Sequence, residues 1–103
     1  MAPAVAERAQ ELERLCQLHR VQRLDLFGSA ATGAYRPDES DLDFLVEFKP
    51  TESHRVYANA YFGLLEGLQE LFGRPIDLVV ESTIDNPYFR ESVEESRTPL
   101  YAA

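Results

Sequence analysis

Apolar residues recur along this chain in two rhythms, one near 3.6 residues and one of two, and the rhythms alternate. Residues 3–20 follow the helical rhythm: Val5, Ala9, Leu12, Leu15, Cys16 and His19 share one face, and Glu7, Arg8, Glu11, Glu13 and Arg14 the other. Pro3 stands where a first helical turn accepts it. Residues 21–27 (VQRLDLF) read as a strand whose apolar positions Val21, Leu24 and Leu26 are out of strict phase. Gly28-Ser29 ends it, one helical turn is expected over 30–34, and 36–40 (RPDES) is turn chemistry. Residues 41–48 (DLDFLVEF) form the clearest strand.

The longest helix is expected from about Ser53 to Phe72. Val56, Tyr57, Ala60, Tyr61, Leu64, Leu65, Leu68, Leu71 and Phe72 make a wide apolar stripe there, and Gly73 before Pro75 supplies the stop. A short strand follows at 76–80, then a helix from Tyr88 to about Ser96 with Asn86-Pro87 as cap and first residue. Leu100-Tyr101 adds a short edge strand or a docking tail. The order predicts an α/β domain, a small mixed β-sheet flanked by helices.

Length and composition narrow the function classes. At 103 residues a single domain spanning 1–103 is expected, with no repeat, low-complexity stretch or linker. No apolar run approaches the roughly 20 residues of a membrane helix, and the N-terminus is unlike a signal peptide, so no membrane association is expected. One cysteine, Cys16, leaves no internal disulfide and suits a cytoplasmic setting. The net charge of −8, with Lys49 the single lysine, argues against broad electrostatic contact with nucleic acid. A nucleotide is still accessible to such a chain, because bound cations and a few arginines handle phosphates locally.

Candidate chemistry concentrates in residues 26–43 (LFGSAATGAYRPDESDLD). Glycine at a strand end lets backbone approach a phosphate closely, amides of the following turn point at an anion, and the Ser29 hydroxyl adds a donor. Arg36 lies in the same loop, within reach of a triphosphate, although nothing in its spacing demands that contact. On a strand Asp41 and Asp43 point the same way and Leu42 the other. Asp77 brings a third carboxylate from the next strand.

Two carboxylates about 4 Å apart repel by ~4 kcal/mol at an effective dielectric near 20, so three in one place need a proton, an arginine or a metal. Mg²⁺ takes oxygen ligands and often combines one or two carboxylates with substrate phosphates. Asp41 and Asp43 would hold two such ions, with Asp77 completing the one that activates an acceptor hydroxyl, or taking its proton. Gly-Ser alone is usually just a turn, and an Asp-x-Asp pair alone is usually a solvated strand end. Their combination, with an acid in a third strand, points to metal-assisted phosphoryl or nucleotidyl transfer.

Phe27-Gly28-Ser29 followed by Asp41-Leu42-Asp43-Phe44 resembles the signature of the DNA polymerase β-type nucleotidyltransferase superfamily. More narrowly, the chain resembles minimal nucleotidyltransferase (MNT) domain proteins, the antitoxin partners of HEPN-domain toxins. Residues 40–46 and 76–79 match well, and the flanking helices match in pattern only. The resemblance implies a polymerase β palm-like fold, Gly28 and Ser29 binding the nucleotide triphosphate, and Asp41, Asp43 and Asp77 binding Mg²⁺. It further implies ATP as donor, pyrophosphate as leaving group, and a tyrosine hydroxyl of a HEPN ribonuclease toxin as acceptor, in a hetero-oligomer. A non-catalytic antitoxin that masks its partner, and a nucleotide-binding subunit of a two-chain small-molecule transferase, stay open as alternatives.

Other positions carry less. Core packing is the expected fate of most of Tyr57, Tyr61 and Phe62, with a partner surface as the alternative. Ala60, Gly63 and Gly67 make a small-residue edge, which reads either as room for close helix approach or as glycine tolerated in a surface helix, and no weight is placed on it. Cys16 is expected to be a buried thiol, Glu91, Glu94 and Glu95 a solvated helix face, and His19 and His54 have no assigned role.

Overall fold

The computed structural model describes residues 3–32 and 41–103. The turn expected at 36–40, and Arg36 with it, lies outside the described residues.

Four strands form one sheet: β1 (Val21–Phe27), β2 (Leu42–Phe48), β3 (Ile76–Val80) and β4 (Thr98–Ala102), in the order β3-β2-β1-β4. β1 pairs antiparallel with β2 and with β4, whereas β2 and β3 run parallel. The sheet is therefore mixed, as the alternation of rhythms predicts. Parallel neighbours need a crossover, and the long helix α4 (His54–Phe72) makes it.

The stop signals act as expected. Ser53 Oγ accepts from the Val56 amide at 3.2 Å to start α4, and Gly73, at φ 64°, closes it with its amide on the Gln69 carbonyl at 2.8 Å. α5 (Pro87–Ser96) begins on Asn86, whose Oδ1 accepts from the Tyr88 and Phe89 amides at 2.8 and 3.2 Å. Leu100-Tyr101 belongs to β4, which takes the sheet edge beyond β1. Pro99 is tolerated there because an edge strand leaves part of its backbone unpaired.

The N-terminal helix departs from expectation. It is divided into α1 (Pro3–Ala6) and α2 (Ala9–Leu18), with Arg8 at φ −108°, ψ 22° between them. The Arg8 amide bonds the Val5 carbonyl at 3.1 Å, a tightened turn in place of a continuing α-helical bond. Val5 and Leu12 lie in the core on either side of the break, and Ala9 is turned out to solvent. No glycine or proline marks the break, so periodicity cannot see it.

The main core lies on one face of the sheet, where Leu24, Leu26, Leu42, Phe44, Val46 and Leu78 meet Leu12 and Cys16 of α2 and Leu64 and Leu68 of α4. The small residues of α4 make that packing possible. A Cβ on Gly63 would stand 2.6 Å from the His19 ring, and one on Gly67 2.5 Å from Leu15 Cδ2. A smaller cluster, Phe27, Leu45 and Val93 with Val79 and Ile84, lies under α5 on the opposite face. The phase error in β1 has a local cause, a register irregularity between Val21 and Arg23. It lets Val21 share the main core with Leu24 and Leu26.

Two aromatic expectations are corrected. Tyr61 is half-buried and its hydroxyl donates to the Leu78 carbonyl at 3.0 Å, but Phe62 is 59% exposed and Tyr57 39%. Tyr57 sits at the sheet margin with its ring edge-on to Phe48 of β2 at 5.6 Å, and Phe62 meets only the edge of Tyr61, at 5.2 Å, among the ring contacts of the described residues. Among the described residues no helix is long and apolar enough to cross a membrane.

Candidate functional site

The second face of the sheet carries the acids. Positions 43 and 45 of β2 share it, as do 77 and 79 of β3 and 25 and 27 of β1, because side chains alternate. Register then sets the neighbours: Asp43 pairs with Asp77 on one side and with Phe27 on the other. Asp41 lies two residues before Asp43, at the mouth of β2. Asp41 and Asp77 are exposed and Asp43 is partly buried. The fold thus brings together three of the residues singled out from sequence, Asp41, Asp43 and Asp77.

Gly28 adjoins them because it follows Phe27, the register partner of Asp43. Its φ is +73°, a conformation that favours glycine. Its lack of a side chain matters equally, since a Cβ there would collide with Asp43 Oδ2 and stand 3.4 Å from Cγ. Ser29 opens the single turn α3 (Ser29–Thr32), in which the Ala31 amide bonds the Gly28 carbonyl at 3.1 Å.

Electrostatics distinguish Asp43 from its neighbours. Burial pushes its carboxyl up to about 6, and the charges of Asp77 and then Asp41 push the same way. Like charges converge here, with the central one partly out of water. Among the described residues no three acids, histidines or cysteines are gathered closely enough to hold a metal ion as they stand. The donor chemistry nevertheless fits a hard divalent cation: carboxylate oxygens on one face, with a charge demand expressed at Asp43. A cleft of about 460 Å³ lies toward the other ends of β2 and β3, lined in part by Glu47, Lys49, Tyr57, Glu81 and Arg90. It contains none of these acids.

Sequence reasoning missed the supports of this face. Asp25 is buried in mid-strand, and its Oδ2 accepts from Arg97 Nε at 2.8 Å and from Arg23 Nη2 at 3.4 Å, with Arg97 Nη2 in ion-pair contact at 2.6 Å. Arg97 Nη1 reaches Glu81 at 3.1 Å and Glu94 at 2.6 Å. Burial works against the Arg97 charge, but hydrogen bonds to Glu81, Asp25 and Glu94 outweigh it, and the guanidinium is held above its ordinary value. An acid inside an apolar strand was the available signal for Asp25. Its partner, 72 residues away, had none. Ser96 was missed as well; its Oγ accepts from the Gly28 amide at 2.9 Å.

Known proteins share this arrangement of elements. The nucleotidyltransferase domain family matches residues 9–100. A proposed protein adenylyltransferase of Methanocaldococcus jannaschii is 38% identical over 77 residues, covering 75% of this chain and 74% of its own. A solved structure of a proposed minimal nucleotidyltransferase superposes with a TM-score of 0.69 at 31% identity, covering 96% of each chain. A tri-AMPylated Shewanella oneidensis HEPN toxin in complex with MNT antitoxin contains a chain of the same fold. That chain superposes with a TM-score of 0.64 at 19% identity, over 96% of this chain and 73% of its own.

Proposed function

We propose that this chain, which belongs to the nucleotidyltransferase domain family, transfers AMP from ATP to a hydroxyl of a partner protein, a tyrosine of a HEPN toxin, and so acts as an antitoxin. Nucleotidyl transfer follows from the family. The donor, acceptor and metal are the finer reading. The observation that carries it is the register of Asp43 against Asp77, with Gly28 close beside the Asp43 carboxylate.

In this reading Asp41, Asp43 and Asp77 hold Mg²⁺, which supplies charge to neutralise the triphosphate and the developing charge at the α-phosphorus. Gly28 and Ser29 cradle the phosphates, and Arg36, eight residues beyond Gly28 in sequence, is a further candidate to contact them. The acceptor oxygen forms a bond to the α-phosphorus as the bond to the bridging oxygen of pyrophosphate breaks. Asp77 either completes the ion that activates the acceptor hydroxyl or takes the hydroxyl proton itself, and its exposure supports both roles. The chain supplies orientation and negative charge, the partner supplies the hydroxyl, and the two work as a hetero-oligomer.

Calorimetric titration with ATP, with and without Mg²⁺, tests the site directly. Binding is expected only with the cation in the native chain and is expected to disappear in Asp41→Asn/Asp43→Asn. Equal binding by both proteins would overturn the assignment of these acids.

A further inference from the structure

Ser96 is the last residue of α5, and its hydroxyl reaches out of the helix to the site. Its Oγ accepts the Gly28 amide at 2.9 Å, while its own hydrogen faces the Ser92 and Val93 carbonyls at 3.4 and 3.5 Å. One hydroxyl therefore links the last turn of α5 to the turn after β1. Both ends of the link are firmly placed. Val93 is 1% exposed within the smaller core, and Arg97, next in sequence to Ser96, is bound to buried Asp25. At the other end, Gly28 has a positive φ and almost no free space in front of Asp43 Oδ2.

We propose that Ser96 is a positioning residue for nucleotide binding: by taking the Gly28 amide, it sets the Gly28-Ser29 turn at the height at which the turn and the Asp43 carboxylate receive the triphosphate together. The proposal rests on the nucleotidyl-transfer reading of this site. Ser96 acts through Gly28 and touches no reacting atom. Without its hydroxyl the Gly28 amide loses its acceptor, and the turn is free to rotate or move away from Asp43. A movement of 1 Å there alters both the phosphate cradle and the room available to the carboxylate.

The test is the affinity of the full chain for the β,γ-imido analogue of ATP with Mg²⁺, together with hydrogen exchange at the Gly28 amide. Ser96→Ala is expected to bind roughly tenfold more weakly, about the net worth of one hydrogen bond, and to lose protection at Gly28. Ser96→Thr, which keeps the hydroxyl, is expected to restore most of the affinity. Gly63→Ala, which perturbs α4 on the opposite face, serves as a destabilised control whose affinity is expected to stay native. Native affinity in Ser96→Ala, or an equal loss in Gly63→Ala, would overturn the positioning role while leaving the transferase reading intact. A native chain that does not bind the analogue would overturn that reading, and the role of Ser96 with it.

Discussion

Gly28 and Asp43 are so close that the glycine has room for a hydrogen but not a methyl group before the carboxylate oxygen. The contact follows from topology: antiparallel pairing sets Phe27 opposite Asp43, and the next residue must turn away across that carboxylate. Gly28→Ala meets two penalties, a left-handed φ worth about 1–2 kcal/mol and a collision with Asp43. Thermal unfolding is expected to show a loss of about 2–3 kcal/mol. Nucleotide binding should fall further than stability explains, because relieving the collision rotates Asp43 away. An alanine variant with native nucleotide affinity would count against the shared site.

Asp43 also gives the protein a signed pH dependence. Its carboxyl is raised from 3.8 to about 6, so the folded chain binds more protons than the unfolded chain between those values. This group's contribution to stability is therefore favourable at low pH, falls as pH rises from about 4 to about 6, and stays unfavourable above. Asp43→Asn is expected to stabilise the metal-free protein at pH 7 by about 1–2 kcal/mol, discounted because the carboxyl is only partly buried. Burial lowers His19 from its ordinary 6.5, so its stabilising contribution is lost as pH falls, opposite in sign. Urea titrations of both proteins at several pH values isolate the Asp43 share by difference. A variant less stable than the native chain at pH 7 would contradict the electrostatic account.

The Asp25–Arg97 pair holds the C-terminal end of α5 against β1. Their side chains are 2% and 15% exposed, so removing one partner strands a buried charge. Arg97→Met is expected to cost about 3–5 kcal/mol. Asp25→Leu/Arg97→Met should recover much of that loss, since an apolar pair leaves no charge to desolvate. Denaturant unfolding of the two variants decides the point. Equal instability would show that shape, and not charge, is what this pair contributes.

The two α4 glycines should respond differently to alanine. Each substitution gains about 1 kcal/mol of helix propensity. At Gly67 the new methyl meets the Leu15 Cδ2 tip, which can swing aside, and the change is expected to be nearly neutral. At Gly63 it meets the half-buried His19 ring, with atoms 2.6 Å away, and overpacking of about 1–3 kcal/mol outweighs the gain. Melting temperatures that rank the two in the opposite order would contradict the packing described for α2 and α4.

What could be read from sequence follows the range of the interaction. Ser53, Gly73 and Asn86-Pro87 act within a few residues, and each bounds its helix where composition predicts. Asp41 and Asp43 share a face because alternation is local. That Asp77 lies beside Asp43 was an expectation drawn from strand pairing, and the parallel register supports it. Ser96 on Gly28, 68 residues apart, and Arg97 on Asp25 depend on where α5 comes to rest, which no local pattern encodes. The break at Arg8 escaped for a related reason, since Val5 and Leu12 stay on the core side whether or not the helix is continuous. The roles of Gly28, Ser29, Asp41, Asp43 and Asp77 in catalysis rest on chemistry and resemblance, and they fall to experiment.

The most direct measurement is transfer of label from α-labelled ATP with Mg²⁺ to a HEPN-domain protein encoded beside this chain, using the native chain and Asp41→Asn/Asp43→Asn. The account predicts label on a tyrosine of the partner with the native chain and none with the variant. A stable complex of the two native proteins that acquires no label would contradict it, and would identify the chain as an antitoxin that acts by binding alone.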